Sequence, residues 1–144
     1  MEGIGGEVDE IEGVQYIQQS AEDGYPPAQS FYAEMYLNGL GVKKNDKTGV
    51  KWMTNAAENC NGFSQNALAN FYFNENYVKK DIKQAYYWIK LAAYYGFENF
   101  DIGLEVVSQE INKKDKKKID KAVEKFKKKS GCGDQDKPVY VGVG

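Results

Sequence analysis

The sequence predicts an all-α fold, a solenoid of stacked helical hairpins with about seven helices and no sheet. The first indication is an internal repeat of 36 residues without insertion or deletion, since Ala21, Ala57 and Ala93 fall at this spacing. The same spacing relates Tyr16 to Trp52 and Trp88, Gln29 to Gln65, Tyr36 to Tyr72, and Val42 to Val78. A fixed period of this length is typical of an array of helix pairs. The second indication is composition, because 144 residues that are 42% hydrophobic can bury a core without disulfides or metals.

The first helix of the repeat unit is clearest after Pro27, a residue suited to the first turn of a helix. Ala28, Tyr32, Ala33 and Tyr36 follow at helical spacing and share one face. This pattern predicts a short amphipathic helix that ends before residue 39.

The second helix of the unit follows a turn that contains Gly39 and Gly41. Asn45-Asp46 can cap this helix, whose buried face carries Trp52 and the pair Ala56-Ala57. The two helices together form a hairpin.

The second copy of the turn has Glu75 and Tyr77 in place of both glycines. We expect this loop to bend differently, with Asn74 or Asn76 in the left-handed conformation.

Small and large residues alternate at the predicted helix interfaces. Alanines at 57 and 93, like those at 33 and 69, allow helices to approach closely, whereas Trp52 and Trp88 fill wider gaps. We expect both Ala57 and Ala93 to be interior, so leucine at either position should overpack the joint.

Both ends of the array are predicted to be caps. Residues 8–24 supply a half repeat with one helix, and residues 98–130 supply capping helices. Apolar residues on one side of the latter are Phe100, Leu104, Val107, Ile119, Val123 and Phe126, with lysines around the rest of the last helix. Residues 1–130 thus form a single helical-repeat domain, and residues 131–144 read as a flexible tail.

These residues resemble the Sel-one-like repeat, a relative of the tetratricopeptide repeat. One full copy extends over residues 28–60 and a second over residues 64–96. The motif positions that match are Ala28, Tyr36, Gly39, Gly41, Val42, Trp52, Ala56 and Ala57, then Leu68, Tyr72, Val78, Asp81, Ala85, Trp88, Ala92, Ala93 and Gly96. The resemblance implies a right-handed α/α solenoid that acts as an adaptor or regulatory protein in bacterial envelope biology, host interaction or signalling complexes.

A surface for a protein partner is expected on the concave side, which the first helices of the hairpins line in such solenoids. The period places seven partner-binding candidates there: Phe31, Glu34, Met35, Asn38, Asn70, Phe71 and Asn74. Met35, Phe71 and Val107 fall in register. They form either an apolar ridge for a partner or the packing between adjacent hairpins.

No catalytic, cofactor-binding or metal-binding residue is predicted, and the chain is not expected to be an enzyme. The sequence has no histidine, and all 19 basic residues are lysine, which excludes imidazole catalysis and guanidinium clamps on phosphate. Gly39-Leu40-Gly41 lacks the strand, lysine and hydroxyl residue of a phosphate-binding loop. Asp81 is better explained as a helix cap than as an acid or base.

Charge is unevenly distributed along the chain. Residues 113–129 carry 10 Lys and 3 acids, a net charge of +7, whereas residues 1–112 carry 8 Lys and 16 acids, a net charge of −8. We interpret the basic helix as a solvated cap, with contact to protein, nucleic acid or an anionic membrane as weaker alternatives. No nucleic-acid partner is predicted, because the remainder of the chain is acidic and no stripe of aromatic and basic residues accompanies the lysines. No membrane span is predicted, because no apolar run approaches the required length.

The compartment is predicted from the N-terminus and the two cysteines. The first residues contain neither a basic region nor an apolar stretch, so a cytoplasmic location is expected, with a periplasmic or secreted one open if a longer precursor exists. Cys60 and Cys132 could form a disulfide in an oxidising compartment, but free thiols are the preferred interpretation.

Two other functions fit the same scaffold. One is an immunity or inhibitor protein that neutralises a specific toxin or effector enzyme. The other is a structural repeat protein that forms a homo-oligomer through its open N-terminal helix.

Overall fold

The architecture is a row of helices joined by short turns. The structure, a computed structural model, describes residues 2–95 and 103–132, with side chains described from residue 11 onward. The helices are α1 (Glu2–Glu22), α2 (Pro26–Asn38), α3 (Asp46–Glu58), α4 (Gly62–Asn74), α5 (Ile82–Tyr94), α6 (Leu104–Glu110) and α7 (Lys113–Lys129). Within these ranges there are seven helices and no strand, which confirms the all-α prediction.

Each helix packs mainly on its neighbours in the chain. Helix α1 packs on α2, α2 on α3, α3 on α4 and α4 on α5, and α5 then contacts both α6 and α7. This nearest-neighbour packing is that of a helical-repeat solenoid. Of the helices described, none combines the length and apolarity needed to cross a bilayer.

The core follows the small residues that recur with the period. Ala33, Ala57, Ala69 and Ala92 are completely buried. Ala93 is exposed, so the prediction that it is interior is wrong. Ala57 is covered by α4, a full helix of 13 residues. The corresponding helix after α5 has only 7 residues and leaves Ala93 at the edge of an open depression.

The two interhelical turns adopt the same backbone conformation in both repeats. Gly39 and Gly41 have φ values of 69° and 77°, and their counterparts Glu75 and Tyr77 have 57° and 66°. The expectation that Asn74 or Asn76 takes the left-handed conformation is therefore wrong. The turn is fixed by main-chain hydrogen bonds that recur at equivalent positions: Leu40 N to Met35 O and Asn76 N to Phe71 O, and Asn45 N to Tyr36 O and Asp81 N to Tyr72 O, all at 2.9 Å.

The starts of the helices are capped by side chains, as expected at two positions. The Asn45 side-chain oxygen accepts from the Thr48 amide at 3.0 Å, and Asp81 accepts from the amides of Lys83 and Gln84 at 3.1 and 3.2 Å. Pro26 and Pro27 lie in the first turn of α2. The two caps therefore set where α3 and α5, the second helices of the hairpins, begin.

The last helix covers the apolar end of the stack. Val123 is buried, and Ile119 and Phe126 are partly buried against the main core cluster. The Tyr86 hydroxyl on α5 donates to Asp120 on α7 at 2.9 Å, which fixes the two helices against each other. Residues 113–129, which the sequence assigns to the cap, form α7 in the structure, whereas Phe100 lies outside the described residues. At the other end, α1 starts at Glu2 rather than near residue 8.

Cys60 and Cys132 form a disulfide, with a Cα–Cα distance of 6.0 Å, so the preference for free thiols is wrong. Cys60 has φ of 70° at the end of α3, where the equivalent residue of the preceding repeat is Gly24, with φ of 92°. The bond ties the segment that follows α7 to the first full repeat. Residues 133–144 of the predicted tail lie outside the described residues.

Candidate partner-binding groove

A groove lies between α2 and α4, which both pack on α3. We call it the α2–α4 groove, and its volume is about 320 Å³. It is lined by Glu34, Leu37, Asn38, Met53, Phe63, Asn66, Ala67, Asn70, Phe71 and Tyr77. Four of the seven candidates from the sequence, Glu34, Asn38, Asn70 and Phe71, are therefore together in one recess.

The other three candidates do not line the groove. The Phe31 side chain is 56% exposed on α2. Asn74 is exposed, and its amide nitrogen donates to the side-chain oxygen of Asn70, so it supports the rim. Met35 is only 4% exposed and packs with Ala21 and Tyr32, so its side chain contributes to the joint between hairpins.

The floor and one wall of the groove are apolar. Leu37 and Met53 are buried beneath it, and Phe63 is exposed at its edge. The Phe71 and Tyr77 rings meet edge to face, with centroids 5.0 Å apart and planes at 76°. A pocket with apolar walls and a few polar groups is a typical binding site for a ligand or an inserted side chain.

Tyr77 forms this wall from an unfavourable backbone conformation. Its φ of 66° lies in the left-handed region, where a bulky residue is rare and costs energy. The first repeat has Gly41 at this position, which has no side chain that could line a groove. The strained backbone is thus coupled to an aromatic side chain that lines the recess.

Two residues of the groove, Glu34 and Asn66, carry hydrogen-bond acceptors that are partly or fully buried. Burial raises the pKa of the Glu34 carboxyl above its ordinary range. Asn66 is only 5% exposed, and its side-chain oxygen has no hydrogen-bond partner. Buried polar atoms are nearly always paired, so this oxygen is an unsatisfied acceptor.

Sequence reasoning missed Phe63, Asn66 and Tyr77. The repeat could have indicated Tyr77, because a tyrosine at the position of a turn glycine is unfavourable for the backbone and suggests a role for the side chain. The repeat gave no such indication for Asn66. Its counterpart in the first repeat is Ser30, whose hydroxyl donates to Pro27 O at 3.0 Å and is therefore paired. In the described part of the chain, His, Cys, Asp and Glu residues form no cluster that could hold a metal ion.

Two solved structures are similar to this chain. One is a protective antigen present in uropathogenic Escherichia coli strains that displays an SLR fold, with a TM-score of 0.72 and 24% identity over 81% of this chain and 25% of that chain. The other is a Sel1 repeat protein from Oxalobacter formigenes, with a TM-score of 0.54 and 27% identity over 58% of this chain and 24% of that chain. This chain spans about a quarter of the length of either structure.

The family comparison is independent of these structures. No curated protein matches the sequence significantly. The family model of the Sel1 repeat matches residues 1–25, 26–59 and 62–96, which is more than half of the chain. Since these matches follow the helical hairpins seen in the structure, the chain belongs to the Sel1 repeat family.

Proposed function

We propose that this chain is an adaptor that binds a partner protein through the α2–α4 groove. Sel1 repeat proteins are generally protein–protein interaction modules, which supports the class of function. The observation that favours the groove is the left-handed backbone of Tyr77. Strained residues persist mostly where the side chain is needed for binding or catalysis, and the ring of Tyr77 lines the groove.

The composition of the groove supports a protein as the ligand. Phe63 and Tyr77 are exposed aromatic residues at its edge, and aromatic residues often dominate the energy of protein interfaces. Phe31 adds a third exposed ring on α2, three residues before Glu34, which lines the recess. An apolar recess surrounded by polar groups matches the usual anatomy of an interface core and rim.

The disulfide bears on where the partner is met. Cys60 and Cys132 form a disulfide. Disulfides persist in oxidising compartments and are generally reduced in the cytosol. A periplasmic or extracellular adaptor therefore agrees better with the chain than the cytoplasmic location expected from its first residues.

The groove is tested by comparing two variants in partner binding. Partners captured from the source cell by the wild-type chain are purified, and their affinities are measured by titration calorimetry. Asn70→Lys places a long charged side chain in the groove and should weaken binding at least about tenfold, or about 1.4 kcal/mol. Lys51→Glu changes an exposed residue of α3 outside the groove and should leave the affinity unchanged. An unchanged affinity in a folded Asn70→Lys variant would contradict the proposal.

Self-association is a second candidate, favoured by the outer surface of α1. Ile11 is exposed there, and Tyr16 is 74% exposed, although its counterpart Trp52 is partly buried beside Tyr32. The α1 helix of a second copy could cover Ile11 and Tyr16, as Tyr32 of α2 covers Trp52 within the chain. Sedimentation equilibrium would then show a concentration-dependent mass that Tyr16→Glu abolishes.

A further inference from the structure

We infer that the α2–α4 groove binds an arginine side chain of the partner protein. The inference depends on the proposed function and adds the chemistry of what the partner inserts. It is carried by three features of the groove, which are its acceptors, its aromatic wall and its apolar floor.

The acceptors lie where a cation would be held. Glu34 and Asn66 both belong to the groove lining, and no basic residue lines it. The Asn66 oxygen has no donor in the free chain and is closed to water. A donor that enters the groove would pair this oxygen after a small turn of the amide. Lys44 lies outside the lining, with its ammonium 5.7 Å from the Tyr77 ring centroid, and is ion-paired with Asp46.

The charge of Glu34 has no counterion within the lining of the groove. Burial alone accounts for the raised pKa of its carboxyl, without a compensating positive charge. A guanidinium beside it would favour the ionised carboxylate and form charge-assisted hydrogen bonds. The groove is therefore electrostatically complementary to a cation.

The rings and the floor match the rest of an arginine side chain. Phe63, Phe71 and Tyr77 present aromatic surfaces on which a planar guanidinium can stack. Leu37 and Met53 lie below, where the aliphatic stem of the inserted side chain would pack.

Arginine fits better than lysine for two reasons. Its planar group offers five donors and is more weakly hydrated than an ammonium, so it can satisfy separated acceptors and stack at the same time. The sequence of this chain contains no arginine. These 144 residues of a second copy therefore cannot supply the occupant.

The test uses the full chain and three capped pentapeptides, with arginine, lysine or citrulline between pairs of alanines. Citrulline keeps the shape of arginine but has no charge. Binding is followed by NMR from the side-chain amides of Asn66 and Asn70 and the main-chain amide of Tyr77. The arginine peptide should shift these signals saturably and bind at least about tenfold more tightly than the citrulline peptide, as expected for hydrogen bonds to a charged group.

Two groove variants and one control variant make the test specific. Glu34→Gln should remove the preference for arginine over citrulline, whereas Glu58→Gln, at an exposed carboxylate of α3, should retain it. Asn66→Ala should weaken the arginine peptide without changing the charge of the groove. Thermal unfolding of each variant establishes that it is folded.

Several outcomes would overturn the inference. These are equal affinity for arginine and citrulline, equal affinity for arginine and lysine, or shifts confined to residues outside the groove. If Asn70→Lys loses the natural partner while the arginine peptide leaves the groove signals unmoved, the proposed function stands and this inference fails. If the arginine peptide binds but Asn70→Lys keeps the partner, the proposed function fails instead.

Discussion

At the scale of single residues, Glu75 and Tyr77 hold left-handed backbone positions that glycines hold in the first repeat. Both residues have a Cβ that makes this conformation costly. Glu75 is exposed, and its side chain does not line the groove. Tyr77 differs because its ring packs on Phe71.

We expect Glu75→Gly to raise the free energy of unfolding by about 0.5 to 1 kcal/mol, because glycine adopts the required φ without strain. Tyr77→Gly should gain less or lose stability, since it also removes the contact with Phe71. Urea denaturation of both variants measures the difference. A destabilised Glu75→Gly would show that the left-handed position carries no strain in this turn.

Glu34 predicts a pH dependence of stability. Its pKa is raised in the folded chain by burial, so the contribution is fully present below the carboxyl's unfolded pKa of about 4.3 and is lost as the pH rises through the folded value. The wild-type chain should therefore lose stability relative to Glu34→Gln as the pH rises above about 4.3. Thermal unfolding of both proteins at a series of pH values measures this divergence, and stability curves that stay parallel would contradict it.

At the scale of the helix pair, two glutamines join successive hairpins at equivalent positions. Gln29 donates to Ala21 O at 3.1 Å, and Gln65 donates to Ala57 O at 3.0 Å. The acceptor ends differ, because Asn59 donates to the Gln29 side-chain oxygen at 3.0 Å, whereas the Gln65 oxygen has no partner. The period explains the difference, since the residue that corresponds to Asn59 is Tyr95, whose hydroxyl meets Ser130 instead.

The two glutamines should therefore respond unequally to replacement by leucine. Gln29→Leu removes two hydrogen bonds and leaves Asn59 and Ala21 O without their partner, which should cost about 1 to 3 kcal/mol. Gln65→Leu removes one hydrogen bond and also an unpaired buried oxygen, so it should cost about 1 kcal/mol less. Chemical denaturation of both variants decides this, and equal losses would contradict it.

The regular part of each hairpin could be predicted from the sequence, and the reason is local. Alanine spacing, Pro27, Asn45 and Asp81 act within one or two helical turns, so they place the helices and their caps correctly. Ala93 shows the limit, because its burial depends on the length of the next helix and not on its own repeat. The motif alone does not contain that information.

The groove could be predicted only in part, for a similar reason. Glu34, Asn38, Asn70 and Phe71 occupy repeat positions that face one side, and the period identifies such positions. Phe63 and Asn66 enter from the start of α4, and Tyr77 enters from a turn. Their convergence is a tertiary fact that spacing along one helix does not express.

At the scale of the whole molecule, the Cys60–Cys132 bond joins residues separated by 72 positions. A crosslink over so long a segment reduces the conformational entropy of the unfolded chain substantially. Its formation also explains why Cys60 tolerates a left-handed backbone where the preceding repeat has Gly24.

Loss of this bond should lower the free energy of unfolding by about 2 to 4 kcal/mol. Cys132→Ala in oxidising buffer and the wild-type chain in reductant should show the same loss in urea denaturation. In reductant, Cys60→Gly should be more stable than Cys60→Ala by about 1 kcal/mol, because only glycine adopts the local φ without cost. Unchanged stability of Cys132→Ala would mean that the bond does not constrain the unfolded chain.

The covalent link also decides how the molecule would carry mechanical load. A force that pulls the two chain ends apart passes from Cys60 to Cys132 through the sulfur atoms and bypasses residues 61–131 between them. Helices α4 to α7 are shielded from tension, and only α1 to α3 can be drawn out. Reduction of the disulfide would add residues 61–131 to the length of chain that can be extended. Helix α4, one wall of the α2–α4 groove, would therefore stay folded under load only while the disulfide is intact.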